Sequence, residues 1–216
     1  MQEFSTTAEK KLYFLNKFAV GKYHIGQVFW TYRAYEIKGM ELLRSIIDHK
    51  KVFVLALNGP GVGAGGAWFP GVADIVLASD KTYLQVPFSA LGLVPENGSA
   101  ITLAQSMGVH RANEFLMFGT KLSAEELERY GVVNKIFPNE GFHGHVKKYL
   151  TEHLKDKDPK SMIEVKRLQN ASFRDQRIVA VFNSIDALAE RFVEGAPFER
   201  FRLKMQELEG MFNQFH

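Results

Sequence analysis

KVFVLALNGPGVGAGGAWFPGVADIVLAS, residues 51–79, is the stretch that decides how this 216-residue chain folds. It opens with an apolar, β-rich run, Lys51–Asn58, and closes with a second one, Ala73–Ser79. Apolar runs of four to eight residues bounded by Gly, Pro and Asn have the length and punctuation of buried strands. Between them lie a glycine cluster, Gly59–Gly66, and a short segment, Ala67–Val72. Glycine carries no Cβ, so backbone N–H groups at such a turn can be approached closely and can point at an anion or an oxyanion. Pro70 predicts little more than a turn or two of helix before the second strand.

Downstream, YLQVPF (Tyr83–Phe88) and LGLVPENG (Leu91–Gly98) read as further β-rich runs. Glu96 falls between Pro95 and Asn97-Gly98, in a turn with an apolar lead-in from Leu91, Leu93 and Val94. A turn carboxylate is ordinarily just solvated. In apolar surroundings, however, the charged form is disfavoured and basicity rises, as proton abstraction requires. Helical spacing follows in SAITLAQSMG, with Gly108 as C-cap, and again in Val109–Gly119. Ser123 and Glu126 form a capping-box pattern for a helix ending at Tyr130-Gly131, and Val132–Phe137 reads as a strand. The remainder predicts helices near 142–155, 159–170, 172–194 and 197–212, with Pro159 and Pro197 at helix starts, where a missing N–H costs nothing. Upstream, Leu12, Leu15, Phe18 and Ala19 make one helical stripe. Ile37, Met40, Leu43, Ile46 and Ile47 make another, ending at Asp48-His49-Lys50. The aromatic stretch from Tyr23 to Tyr35 reads as core or subunit packing ahead of a ligand box. The whole predicts an α/β fold: a core over residues 1–140 and a helical region over 141–216.

Composition narrows the chemistry. The chain has no cysteine, which excludes disulfides and thiolate zinc sites. A net charge of +3, spread along the chain, favours neither nucleic acid nor membrane and suits a small anionic ligand. No run of 18 apolar residues predicts a membrane span. The N-terminus lacks a secretory apolar core, and Asn213–His216 is not an SKL-type address.

Other motifs have plainer readings. Gly61–Gly66 matches G-x-G-x-x-G, but Asn58-Gly59-Pro60 intervenes and Pro70 shortens the helix, which argues against a dinucleotide site. No Lys-Ser/Thr follows, which excludes a P-loop; a tight turn with close backbone packing is the plain alternative. His143-Gly144-His145 has no third ligand, His24, His49, His110 and His153 are scattered, and no metal site is expected. Arg191, Arg200, Arg202 and Lys204 alternate with Glu194, Glu199 and Glu207, as solvated helix pairs do, with phosphate contact the minority reading.

The run LNGPGVGAGGAWFPGVADIVLAS through PFSALGLVPENGSA, continued by KLSAEELERYGVVNKIFP and GAPFERF, resembles the enoyl-CoA hydratase/isomerase (crotonase) superfamily over about residues 40–212. Within it, the chain looks most like the peroxisomal Δ3,Δ2-enoyl-CoA isomerases. The resemblance implies a crotonase-like ββα spiral core with a helical C-terminal region. It places one oxyanion-hole N–H at Gly65, two residues before the short helix gets under way, with Gly63, Ala64 and Gly66 lining the same substrate-binding turn. The two glutamates of hydratases fall at Trp68 and at Phe88, after Pro87, and the resemblance makes these two aromatics substrate-binding positions. The isomerase base of the P-E-x-G turn falls at Glu96, flanked by the substrate-binding positions Leu91, Pro95 and Asn97. The implied reaction is isomerisation of 3-enoyl-CoA to trans-2-enoyl-CoA in fatty-acid β-oxidation, with no metal or redox cofactor, CoA as the substrate's handle, a homotrimer or hexamer, and a peroxisomal setting. The family's first strands and its S-G-A-D loop, source of the other oxyanion donor, have no counterpart here, so the core is expected to be N-terminally truncated. That departure supports a rival expectation, a catalytically impaired acyl-CoA-binding or assembly homologue. A hydratase or thioesterase is the enzymatic rival.

Overall fold

A computed structural model describes residues 39–214 of the chain. The predicted stripe Leu12–Ala19, Ile37, His24 and the aromatic stretch Tyr23–Tyr35 lie outside the described residues. The first described element is a helix (α1, residues 39–47), whose apolar face buries Leu43, Ile46 and Ile47 as the 3.6-residue spacing predicts. Next come β1 (Val54–Leu57), a two-residue strand β2 (Gly61–Val62), α2 (Ala64–Val72), β3 (Ile75–Ser79) and β4 (Tyr83–Gln85). After a 3₁₀ turn (Ser89–Leu91) follow α3 (Ser99–Met107), α4 (Val109–Phe118), β5 (Leu122–Ser123), α5 (Ala124–Arg129) and β6 (Lys135–Phe137). Three helices complete the chain: α6 (Phe142–Leu154), α7 (Pro159–Glu194) and α8 (Ala196–Gln214). No described helix is long and apolar enough to cross a membrane.

The described strands form two small sheets. In the first, β1 and β6 both run parallel to the central β3, with Val54 opposite Ile75 and Leu77 opposite Lys135. In the second, β2 pairs parallel with β4, and β5 antiparallel with it. Side chains alternate along a strand, so a strand covered on both faces must be apolar at every position. β3 meets that demand over Ile75–Ala78: Val76 and Ala78 enter the main core with Leu84, Leu103, Phe115 and Leu127, while Leu77 packs on Phe142 and Val146 of α6, and the buried Ser79 at its end shares a hydrogen bond with Thr82 Oγ1.

Several local expectations hold. Gly108 and Gly119 follow α3 and α4, each with its N–H on the carbonyl four residues back. Ser123 and Glu126 form both halves of the capping box at α5. Asp158 caps α7 by accepting from the Ser161 N–H, with Pro159 in the first turn.

Others need correction. LGLVPENG is not a strand, because Gly92, Asn97 and Gly98 all have positive φ and turn the chain repeatedly. The predicted strands 51–58, 83–88 and 132–137 shrink to four, three and three residues. α2 does stay short as expected, nine residues ending at Val72 with Pro70 inside it, and its end is closed by the Ala73 N–H on the Phe69 carbonyl at 3.0 Å. The predicted helices 159–170 and 172–194 are one 36-residue helix, α7. At the expected break, Asn170 Nδ2 donates to the Ile47 carbonyl at 2.7 Å.

α7 is fastened along its length. Lys166 Nζ donates to Asp74 Oδ2 at 2.7 Å and to the Lys51 carbonyl at 2.9 Å. Asp74 Oδ2 also accepts the Phe53 N–H at 2.6 Å. Two turns on, the Arg174 guanidinium bonds Asp48 at 2.6 and 3.1 Å and holds its carboxyl below the usual carboxylate range. The Lys166 side chain is 9 % exposed and that of Asp74 24 %. Removing one partner of so sheltered a pair leaves an uncompensated charge. Lys166→Ala is therefore expected to cost about 2–3 kcal/mol, less than a fully buried pair because Asp74 keeps some water. A chemical-denaturation midpoint unchanged from wild type would contradict this.

Candidate active site

The glycine cluster is shaped by its neighbours before any ligand is considered. Thr82 Oγ1 donates to the Leu57 carbonyl at 2.8 Å and accepts the Gly59 N–H at 3.3 Å, which fixes how the chain leaves β1. The Gly63 N–H donates to the Gln85 carbonyl at 2.8 Å, tying the turn to β4. Gly61 and Gly66 touch backbone to backbone: a Cβ on Gly66 would stand 3.0 Å from the Gly61 carbonyl carbon. The plain reading of the glycines, close backbone packing, is thus correct for these two.

This packing sets the start of α2. Gly63 has φ +63° and Ala64 φ +35°, and the helix begins at Ala64. The first N–H groups of any helix have no carbonyl four residues back within it. The Gly66 N–H turns instead to the Gly63 carbonyl at 2.9 Å, while the Gly65 N–H has no acceptor among the described residues. Gly65 therefore lies inside the first turn of α2, not ahead of the helix as the sequence suggested. A Cβ there would stand 3.0 Å from the Phe69 ring. One helical turn further, Trp68 packs on the main core and on the α1–α7 cluster, edge-on to Phe69 with centroids 6.3 Å apart. Its Nε1 is buried with no acceptor.

The second half of the site is the turn before α3. The Leu93 N–H bonds the Phe88 carbonyl at 2.8 Å, and Leu93 and Val94 pack on Leu188, Ala189 and Phe192 of α7. Glu96 and Asn97 are 3 % and 2 % exposed. Asn97 has φ +51°, which asparagine tolerates better than most residues, and its amide finds no hydrogen-bond partner. Gly98, at φ +75°, donates its N–H to Ser184 Oγ at 3.0 Å, and a Cβ there would stand 3.1 Å from the Val181 backbone nitrogen. The carboxylate is thus carried on a turn seated directly on α7.

Both turns lead into helices, and those helices touch. Gly71 of α2 lies against Thr102 of α3 so closely that a Cβ would come 2.4 Å from Thr102 Oγ1. Of the predicted residues, Gly63–Gly66 and Trp68 gather on α2, and Pro95–Asn97 on the turn into α3. Leu91 ends the 3₁₀ turn half-buried, and Phe88 is buried in the main core with 3 % exposure. A separate cavity of about 500 Å³ lies between Asp48–Lys50 and Ile163–Asp175, and none of the predicted site residues lines it. No cluster of three or more His, Asp or Glu that could hold a metal occurs among the described residues. The basic residues near the C-terminus pair along the helices, Arg191 with Glu194 and Lys204 with Glu207. Sequence reasoning missed Thr82 and Ser184, which act at a distance of 23–25 and 86 residues and belong to no motif.

Residues 22–198 match the enoyl-CoA hydratase/isomerase family. The chain belongs to that family, within the crotonase superfamily. It is 32 % identical over 166 residues to a Saccharomyces cerevisiae Δ(3,5)-Δ(2,4)-dienoyl-CoA isomerase, covering 74 % of this chain and 59 % of that protein. It is 40 % identical over 106 residues to Rattus norvegicus enoyl-CoA delta isomerase 2, covering 49 % of this chain and 27 % of the rat protein. Among solved structures, a Pseudoalteromonas atlantica enoyl-CoA hydratase/isomerase superposes with a TM-score of 0.71 at 25 % identity, over 76 % of this chain and 66 % of that one. The chain thus spans less than two thirds of the length of these two curated relatives.

The crotonase fold leaves the glycine turn no slack. In Gly66→Ala the new Cβ would meet fixed backbone at 3.0–3.3 Å, so the start of α2 must move away from β2. The expected result is a drop in thermal midpoint. A variant that melts as wild type would show that the contact has room to relax.

Proposed function

We propose that the protein is an enoyl-CoA isomerase that moves a double bond from C3 to C2 of an acyl-CoA thioester by carboxylate proton shuttle. One observation carries the reading: a buried Glu96 on the P-E-x-G turn, with Trp68 and Phe88 standing where hydratases have their two glutamates. Hydration needs a group that positions and deprotonates water. An indole can only donate a hydrogen bond, and a phenyl ring does neither. A shuttle needs one base that gives back the proton it takes.

In this mechanism Glu96 removes a proton from C2 of the 3-enoyl thioester. The electron pair moves into the thioester carbonyl as an enolate, and Glu96 returns the proton at C4 while the double bond settles at C2–C3. The developing negative charge lies on the thioester oxygen, where the Gly65 N–H, free of any acceptor among the described residues, donates to it. One such donor contributes about 3–4 kcal/mol to the transition state. Atoms balance without a metal, redox cofactor or water. The same reading makes the acyl-CoA thioester the partner, in a homo-oligomer of a β-oxidation compartment such as the peroxisome.

Purified protein mixed with 3-hexenoyl-CoA is expected to generate the conjugated 2-enoyl absorbance. Glu96→Gln should lower that turnover by about 10³-fold with unchanged circular dichroism. Turnover that survives the substitution would overturn the base assignment. No turnover by wild type, with the thioester still bound, would replace the reading with a non-catalytic acyl-CoA-binding role.

Supplied with 2-hexenoyl-CoA, the protein is expected to leave the conjugated absorbance intact. Steady loss of that absorbance would establish a hydratase and refute the argument from Trp68 and Phe88.

A further inference from the structure

Glu96 is buried, and the Gly98 carbonyl after it is held by α3, accepting the Ile101 and Thr102 N–H groups at 3.0 and 3.1 Å. Asn97 and Gly98 both have positive φ, and no backbone ladder runs through Pro95–Gly98. One internal bond, the Ser99 N–H on the Glu96 carbonyl at 3.0 Å, closes the turn on itself. A tie from outside is Ser184, in the C-terminal half of α7. Its Oγ accepts the Gly98 N–H at 3.0 Å and donates to the Val181 carbonyl at 2.8 Å, so the hydroxyl's rotor is set by its own helix. The turn approaches so closely that any side chain at position 98 would strike the Ala180–Val181 backbone, at 3.1–3.3 Å. A glycine pressed on a helix and bonded to that helix's serine forms a two-point clamp two residues from the carboxylate.

We infer that Ser184 is a positioning residue for Glu96, and that the helical C-terminal region thereby takes part in catalysis. The inference rests on the reading of Glu96 as the base. The clamp acts on geometry and not on substrate affinity. Without the hydroxyl the Gly98 N–H is left facing α7 unpaired, and the turn must shift to find water or another acceptor. A displacement of about 1 Å at a base can lower the rate of proton transfer about 100-fold while leaving remote binding contacts in place.

The test compares Ser184→Ala, Ser184→Thr and Glu96→Asp, singly and combined, in the full 216-residue chain with 3-hexenoyl-CoA. Ser184→Ala is expected to lower kcat about 10- to 100-fold with KM within about twofold. Ser184→Thr keeps the hydroxyl and its bond to the carbonyl three residues back, and is expected to restore kcat. The loss in Glu96→Asp combined with Ser184→Ala is expected to fall short of the product of the single losses, because both displace the same carboxylate. A kcat unchanged in Ser184→Ala, or fully multiplicative losses, would overturn the inference and leave Ser184 a structural residue. Loss of activity in the alanine and threonine variants alike would do the same. Backbone exchange gives a readout independent of turnover: the Gly98 amide should exchange with deuterium at least tenfold faster in Ser184→Ala, and equal protection would also overturn the clamp. If instead Glu96→Gln retains full turnover, the reading of the base fails whatever Ser184 does.

Discussion

One ion pair fixes where α7, the longest helix among the described residues, lies, and much of the structure follows from it. Lys166 carries its charge to the start of the first sheet, where Asp74 precedes β3 and the Lys51 carbonyl precedes β1. Burying a lysine is costly unless the charge is matched and its protons are bonded. Here one carboxylate oxygen takes Nζ and the Phe53 N–H together, and a main-chain carbonyl takes a second Nζ proton. The pair therefore joins two strands and a helix at one point. From Lys166 to Ser184 is 18 residues, or roughly 27 Å along a straight helix at 1.5 Å per residue. α7 acts as a stiff strut between the start of the sheet and the turn that carries Glu96, with Asn170, Arg174 and Arg177 bonded along the way to Ile47, Asp48 and Gln105.

The two halves of the site share a physical device. Each places a positive-φ residue just before or at a helix start: Gly63 and Ala64 ahead of α2, Asn97 and Gly98 ahead of α3. Of the three non-glycine residues with positive φ among the described residues, two lie here; the third, Asp156, lies in the loop before α7. Such backbone costs of order 1–3 kcal/mol per residue and persists only where the surroundings over-determine it. At the glycine turn the surroundings are β4, through the Gly63–Gln85 bond, and the Gly61–Gly66 contact. At the carboxylate turn they are α7. Sharp reversals at both sites leave helix-start N–H groups and a carboxylate in places that regular structure would have consumed.

The elements legible in the sequence are those whose signals are local. The capping box at Ser123 and Glu126, the glycine stops at Gly108 and Gly119, and the apolar run of the strand Ile75–Ser79 each need only a few neighbouring residues to be read. What was illegible depends on partners far away. β2 and β5 are two residues each and exist only because β4 lies between them. The division of α7 at residue 171 was plausible because asparagine competes with helical backbone bonds. The Ile47 carbonyl removes that competition by taking the Asn170 amide. LGLVPENG has the composition of a strand, but three of its residues lie in left-handed space. At the site, the glycine turn and the Glu96 turn were found by motif, whereas Ser184 lies 86 residues from its partner in a helix with no signature at that position.

The aromatic pair at Trp68 and Phe88 does more than remove two carboxylates. Phe88 is drawn into the main core, where a carboxylate would have no place without a partner. Trp68 keeps one polar atom, and that atom is a donor, buried and without an acceptor. A glutamate at this position would accept hydrogen bonds from water; an indole N–H can only give one. The exchange therefore removes two acceptor groups that could organise a water nucleophile. Under the isomerase reading this is the favourable direction, since a proton in transit between two carbons is best kept from solvent. The same loss would work against hydration, since an aromatic ring offers an incoming water nothing to give its proton to. One carboxylate held on a helix-clamped turn and two aromatics in place of the others thus form a consistent arrangement for moving a proton and excluding a water.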